Sequence, residues 1–66
     1  MPKVRDAIRL VERDGWLHVR TRGSHRQFRH PDKPGKVTIP GHLSKDLSPS
    51  MWNSILRQAG LKGERQ

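Results

Sequence analysis

With 66 residues and no cysteine, the chain has material for one small domain held by packing alone, which excludes a disulfide framework and a thiolate metal centre. Fourteen Lys and Arg against six Asp and Glu give a formal net charge of +8, a positive field that reaches about a Debye length, ~8–10 Å, into solution. No apolar run approaches the length of a signal segment or membrane span, so the expectation is a soluble, cytoplasmic protein whose partner is a polyanion.

Nucleic acid is favoured over an anionic membrane, because no segment combines a Lys/Arg face with a broad Trp/Phe/Leu face. The plainer alternative is that the basic charge serves solubility only.

In chain order, Val4, Ala7, Ile8 and Val11 stand at i, i+3, i+4, i+7 spacing, with Leu10 beside them and Arg5, Asp6, Arg9, Glu12 and Arg13 mostly opposite. This predicts an amphipathic helix over residues 4–14, ended by Gly15 in a left-handed conformation. Over residues 16–22 the pattern becomes alternation: Leu17, Val19 and Thr21 against His18, Arg20 and Arg22. It predicts a strand with an inward apolar and an outward basic face, and Trp16 packed at its start. Gly23-Ser24 supplies a short turn.

In residues 24–30 the single large apolar residue is Phe28, which in a strand should point to the core. Ser24, Arg26 and His30 share its parity, whereas His25, Gln27 and Arg29 project from the solvent side. A bulge between His25 and Phe28 would reverse that assignment. The turn formers of residues 31–35 mark the next reversal. A third strand over 36–39 turns Val37 and Ile39 inward and Lys36 and Thr38 outward. A polar loop with His42, Lys45 and Asp46 leads to Ser48-Pro49, a cap followed by proline at the first helical position. Met51, Ile55, Leu56 and Ala59 are the expected inner face of this second helix, with Trp52 on its border. Gly60-Leu61 match a glycine ending whose next apolar residue folds back towards Leu56. The tail, 62–66, is expected to fray.

The prediction is one α+β domain over 1–66, in the order helix, three strands, helix: a three-stranded antiparallel sheet with both helices packed on one face and the other face open and basic. Leu17, Val19, Phe28, Val37 and Ile39 are its expected sheet-side core.

Asp14-Gly15-Trp16 ahead of Arg20, Gly23-Ser24-His25 with Phe28-Arg29-His30-Pro31, Val37-Thr38-Ile39-Pro40, His42, Lys45-Asp46-Leu47 and the run from Ile55 to Leu61 stand in an order that resembles the HicA (YcfA-like) toxins of bacterial toxin–antitoxin pairs. The resemblance spans nearly the whole chain. It implies a fold similar to the double-stranded-RNA-binding domain, cleavage of mRNA, neutralisation by a HicB-type antitoxin, and a catalytic histidine at His25. Arg26 stands where many members have a second histidine, and Gly41 interrupts the stretch before His42.

RNA cleavage without a metal needs a base for the 2′-OH, cationic or donor groups for the crowded phosphate, and an acid for the leaving 5′-oxygen. His25 can serve as base and, once protonated, as acid. Arg20, Arg22, Ser24, Arg26, Gln27, Arg29 and Lys36 form the candidate RNA-binding set around it, Arg20 and Lys36 foremost on the open face. Against this stand the bland readings: a surface histidine, a turn serine and a solvated run of arginines. No metal or other cofactor is expected, since His18, His25, His30 and His42 lack a tight histidine pair and a carboxylate cluster. Trp16 and Trp52 are read as core rather than base-stacking platforms. A non-catalytic RNA-binding module is the alternative function, and a protein held mainly as the interaction partner of an acidic antitoxin surface is a third.

Overall fold

The helical spacing of Val4, Ala7 and Val11 is realised in the computed structural model, which describes residues 2–61: all three side chains are fully buried on one side of α1 (Val4–Arg13). The elements that follow are β1 (Leu17–Arg22), β2 (His25–Arg29), β3 (Val37–Ile39) and α2 (Pro49–Gln58), so the chain is an α+β fold in the expected α-β-β-β-α order. The tail from residue 62 lies outside the described residues.

Both helices begin and end on local chemistry. At the start of α1 the Asp6 carboxylate accepts the Lys3 N–H at 2.8 Å, placing a negative group by unsatisfied donors and the positive end of the helix dipole. At the start of α2 the Ser48 hydroxyl accepts the Met51 N–H at 3.1 Å. The two C-termini use the same glycine device. Gly15 N–H donates to Glu12 O and Trp16 N–H to Val11 O; Gly60 N–H donates to Arg57 O and Leu61 N–H to Leu56 O. In each case the residue after the glycine is apolar and turns inward, Trp16 to full burial and Leu61 against the edge of the core.

The strands form an antiparallel sheet in the order β1-β2-β3. Phe28 pairs with Val37 and Arg26 with Ile39; paired residues share a face, so Phe28, Val37 and Ile39 point to one side and are fully buried there. Val4, Ala7 and Val11 of α1, Ile55 and Ala59 of α2, Trp16 and Leu47 complete the same cluster. Burial of a side chain of the size of Phe28 stabilises by roughly 1.5–3 kcal/mol.

Strand β1 departs from its expected alternation. Register shifts between His18 and Arg20, which pair with the consecutive residues Phe28 and Gln27. Val19 is therefore the extra residue of a β-bulge, and the bulge inverts the first half of the strand. Leu17, paired with Arg29, lies on the open face and is 61% exposed; Val19 is 54% exposed. Neither belongs to the core as their spacing predicts. His18, expected outward, is on the helix side, its ring tilted against Phe28 at 5.4 Å and its Nε2 2.7 Å from the Thr21 hydroxyl. Every β1 side chain remains exposed, because two ten-residue helices, each about 15 Å long, cover β2 and β3 and leave β1 overhanging. Met51, expected on the inner face of α2, is likewise exposed.

A polar latch joins the two helix ends to the β2–β3 loop. His30 follows β2, and its Nε2 lies 2.7 Å from the Asp14 carbonyl, while its Nδ1 accepts the Asp32 and Lys33 N–H groups at 2.9 and 3.2 Å. Lys33 pairs with the Asp14 carboxylate and donates to the Ala59 carbonyl at the end of α2. Asp14 also accepts Trp16 Nε1–H at 3.2 Å.

Gly15 carries φ +104°, and a Cβ there would stand 2.7 Å from His30 Nε2. Gly15→Ala should therefore cost about 1–3 kcal/mol in backbone strain, with the displaced latch in addition. Gly35 has φ +80°, but a Cβ there would meet nothing within 4 Å, so Gly35→Ala carries the strain alone. Urea unfolding should place the midpoint of Gly15→Ala clearly below that of Gly35→Ala; equal midpoints would show that His30 yields freely.

Candidate nucleic-acid interface

Alternation in β2, anchored by buried Phe28, puts His25, Gln27 and Arg29 on the face away from the helices. Pairing extends this face in rows across the sheet. Arg22 lies beside His25, Arg20 and Thr38 flank Gln27, and Leu17 flanks Arg29. Lys36 is exposed just ahead of Val37 and by alternation belongs to the same side. No Asp or Glu occurs between Trp16 and Pro31, so the field over this face is positive throughout.

The bulge that displaces Leu17 leaves Arg20 and Arg22 on the open face with His25. His25 is exposed and among the described residues has no hydrogen-bond partner, so both ring nitrogens are available to a ligand. His30, five residues on, has both ring nitrogens engaged. The two imidazoles thus differ sharply in what they can do.

The remaining predicted site residues are placed as follows. Arg26 is on the helix side, half-buried, and donates to the Gly41 carbonyl at 2.9 Å; it does not project beside His25. Ser24 is in the β1–β2 turn, and its carbonyl accepts the Gly41 N–H at 3.0 Å. Between them Ser24 and Arg26 hold both polar groups of Gly41, which carries the chain past the end of β3. Gly41 adopts φ +95°, with Lys45 and Val4 carbons 3.2–3.3 Å from where a Cβ would stand, so the glycine that interrupts the family pattern permits this close approach. His42 follows directly and is exposed, at the end of the sheet that carries His25. Arg29 Nη1 reaches the Gly35 carbonyl at 3.3 Å and stays exposed. Asp46 pairs with Lys3 at 2.8 Å beside the start of α1.

Sequence reasoning passed over Leu17 and Thr38 as members of the candidate interface. The signal for Thr38 was available in its alternation with Val37 and Ile39; nothing in the local sequence marks the bulge that turns Leu17 over.

Two carboxyls are held below the usual carboxylate value: Asp14 by the hydrogen bond from Lys33, aided by its charge and by Trp16 and His30, against some desolvation, and Asp46 by its hydrogen bond and charge pairing with Lys3. Among the described residues no group of three or more His, Cys, Asp or Glu side chains converges as a metal site would require, and no helix is long and apolar enough to cross a membrane.

A family model described as HicA toxin of bacterial toxin–antitoxin matches residues 4–61. No curated protein matches the chain.

A carboxyl whose folded pKa is depressed contributes stability that is complete above its unfolded value, about 3.9, and is lost as pH falls through the lower folded value. Lys33→Met should therefore lower stability near neutral pH and flatten its decline below about pH 4. Urea midpoints of both proteins at about pH 6 and about pH 3 test this. A pH difference unchanged by the substitution would separate Asp14 from the acid response.

Proposed function

The chain belongs to the HicA toxin family of bacterial toxin–antitoxin systems, and from that premise we propose that it is a cytoplasmic, metal-independent endoribonuclease that cuts mRNA with His25 as its single catalytic histidine. Membership makes it the toxin of such a pair; the partner we propose is a HicB-type antitoxin. The observation that carries the ribonuclease reading is the exposed imidazole of His25, without a hydrogen-bond partner among the described residues, beside Arg22 on a sheet face without acidic residues.

The reaction needs no group beyond those on this face. Neutral His25 takes the proton of the ribose 2′-OH as that oxygen attacks the adjacent phosphorus. The bond to the 5′-oxygen breaks, leaving a 2′,3′-cyclic phosphate, and the imidazolium returns a proton to the departing oxygen directly or through water. Arg22 and Arg20, fixed by the strand pairing, supply positive charge where the pentacoordinate phosphate gathers negative charge. Arg29 and Lys36 continue the track for flanking phosphates. Arg26 and Ser24 act from below by setting the hairpin and the Gly41 backbone, a supporting part in place of direct RNA contact.

His25→Ala should lower cleavage of single-stranded RNA by about 10²-fold or more while leaving unfolding midpoint and RNA affinity nearly unchanged. Arg20→Ala should weaken binding to all sequences and lower the salt slope by about 1. Incubation of labelled RNA with pure protein in EDTA, with analysis of product ends, decides between readings. Cyclic-phosphate ends that vanish with His25→Ala support the enzyme; RNA left intact at saturating protein would make the chain a non-catalytic RNA-binding module.

A further inference from the structure

The open face carries one uncharged amide among its cations. Gln27 sits at the centre of the middle strand, with Arg20 on one side and Thr38 on the other. The Thr38 N–H points away from β2, to Gln58 Oε1 at 2.9 Å. Gln27 and Thr38 are therefore a non-hydrogen-bonded pair, the close kind, with Cα atoms about 4.5 Å apart. The two glutamines contrast. Gln58 uses its amide within the fold, accepting from Thr38 and donating to Ser54, whereas Gln27 has no hydrogen-bond partner for its side chain among the described residues. Its strand neighbours Arg26 and Arg29 both reach backbone carbonyls.

Arginines that grip phosphates position a strand without reading it. A carboxamide is different, because it presents a donor and an acceptor in one plane, and adenine is the base that offers a matching acceptor and amino donor on both its Hoogsteen and its Watson–Crick edge, N7 with N6 and N1 with N6. In single-stranded RNA such edges are open to side chains. His25 and Gln27 are two residues apart on one face, roughly 7 Å along the strand, a step comparable to one nucleotide. We propose that Gln27, flanked by the Thr38 hydroxyl, reads an adenine next to the phosphate held at His25 and so determines where the RNA is cut. This rests on the ribonuclease reading above and deepens it by assigning base recognition to a named side chain.

The test uses binding and cutting together. In a His25→Ala background, fluorescent oligoadenylate, oligocytidylate and oligouridylate of equal length are titrated with protein and compared with the same protein also carrying Gln27→Ala. Oligoadenylate should bind tightest, and Gln27→Ala should reduce that preference by about fivefold or more. Unchanged affinity for oligocytidylate, and an unchanged salt slope, show that the fold and the phosphate contacts survive. Cut sites mapped on a mixed-sequence RNA should be enriched in a neighbouring adenine for the protein with both residues intact, and lose that enrichment for Gln27→Ala alone. No preference for adenine, or a preference that survives the substitution, overturns the assignment to Gln27 while cleavage by the unmodified protein leaves the ribonuclease reading standing. Preference in binding that disappears with Gln27→Ala, without cutting by the unmodified protein, keeps the base-reading assignment and overturns the ribonuclease.

Discussion

Burial of Phe28 is the constraint on which the geometry of the face depends. It is the one large apolar side chain of β2, it is fully buried between the sheet and the helices, and the two-residue period of a strand converts that single fact into an orientation for its neighbours. A slip of one residue would expose the ring and turn His25, Gln27 and Arg29 under the helices, where three polar side chains would lose water. The hydrophobic cost and the desolvation cost act in the same direction, so the central strand has one stable register. The edge strands inherit their faces by pairing with it.

The bulge at Val19 shows the limit of periodicity as a guide. Leu17, Val19 and Thr21 alternate as cleanly as a strand can, yet one extra residue places Leu17 on the open face and His18 below, against Phe28. The basic side chains after the bulge, Arg20 and Arg22, keep the face their spacing suggested. The insertion acts on the pairing between two strands, and a single strand's pattern holds no trace of it. Overhang of β1 beyond the helices then makes the change inexpensive, since Leu17 has little core to lose there.

Where the sequence spoke clearly, it did so through local chemistry with few alternatives: the helical spacing of Val4, Ala7 and Val11, the serine and proline that start α2, the glycines followed by Trp16 and Leu61 at the two helix ends. Parity about Phe28 was enough to place His25 outward. Contacts between residues far apart in the chain were not legible. The bond from Arg26 to the Gly41 carbonyl, which joins the second strand to the loop after the third, and the link of Lys33 to both helix C-termini each depend on three-dimensional closure. An arginine in a basic run therefore read as part of the phosphate track, although its guanidinium is engaged within the fold.

His25 and His30 make the same distinction in one side-chain type. They lie five residues apart in and just after one strand. His30 has Nε2 on the Asp14 carbonyl and Nδ1 on two backbone amides, so its ring fastens the β2–β3 loop to the end of α1. His25 has neither nitrogen committed among the described residues and sits in the row of Arg22 on the open face. Among the four histidines, His25 and His42 are exposed with rings that make no hydrogen bond among the described residues, and His25 is set apart by its place beside Arg22 in the basic strand pair; the same contrast of free and engaged groups separates Gln27 from Gln58.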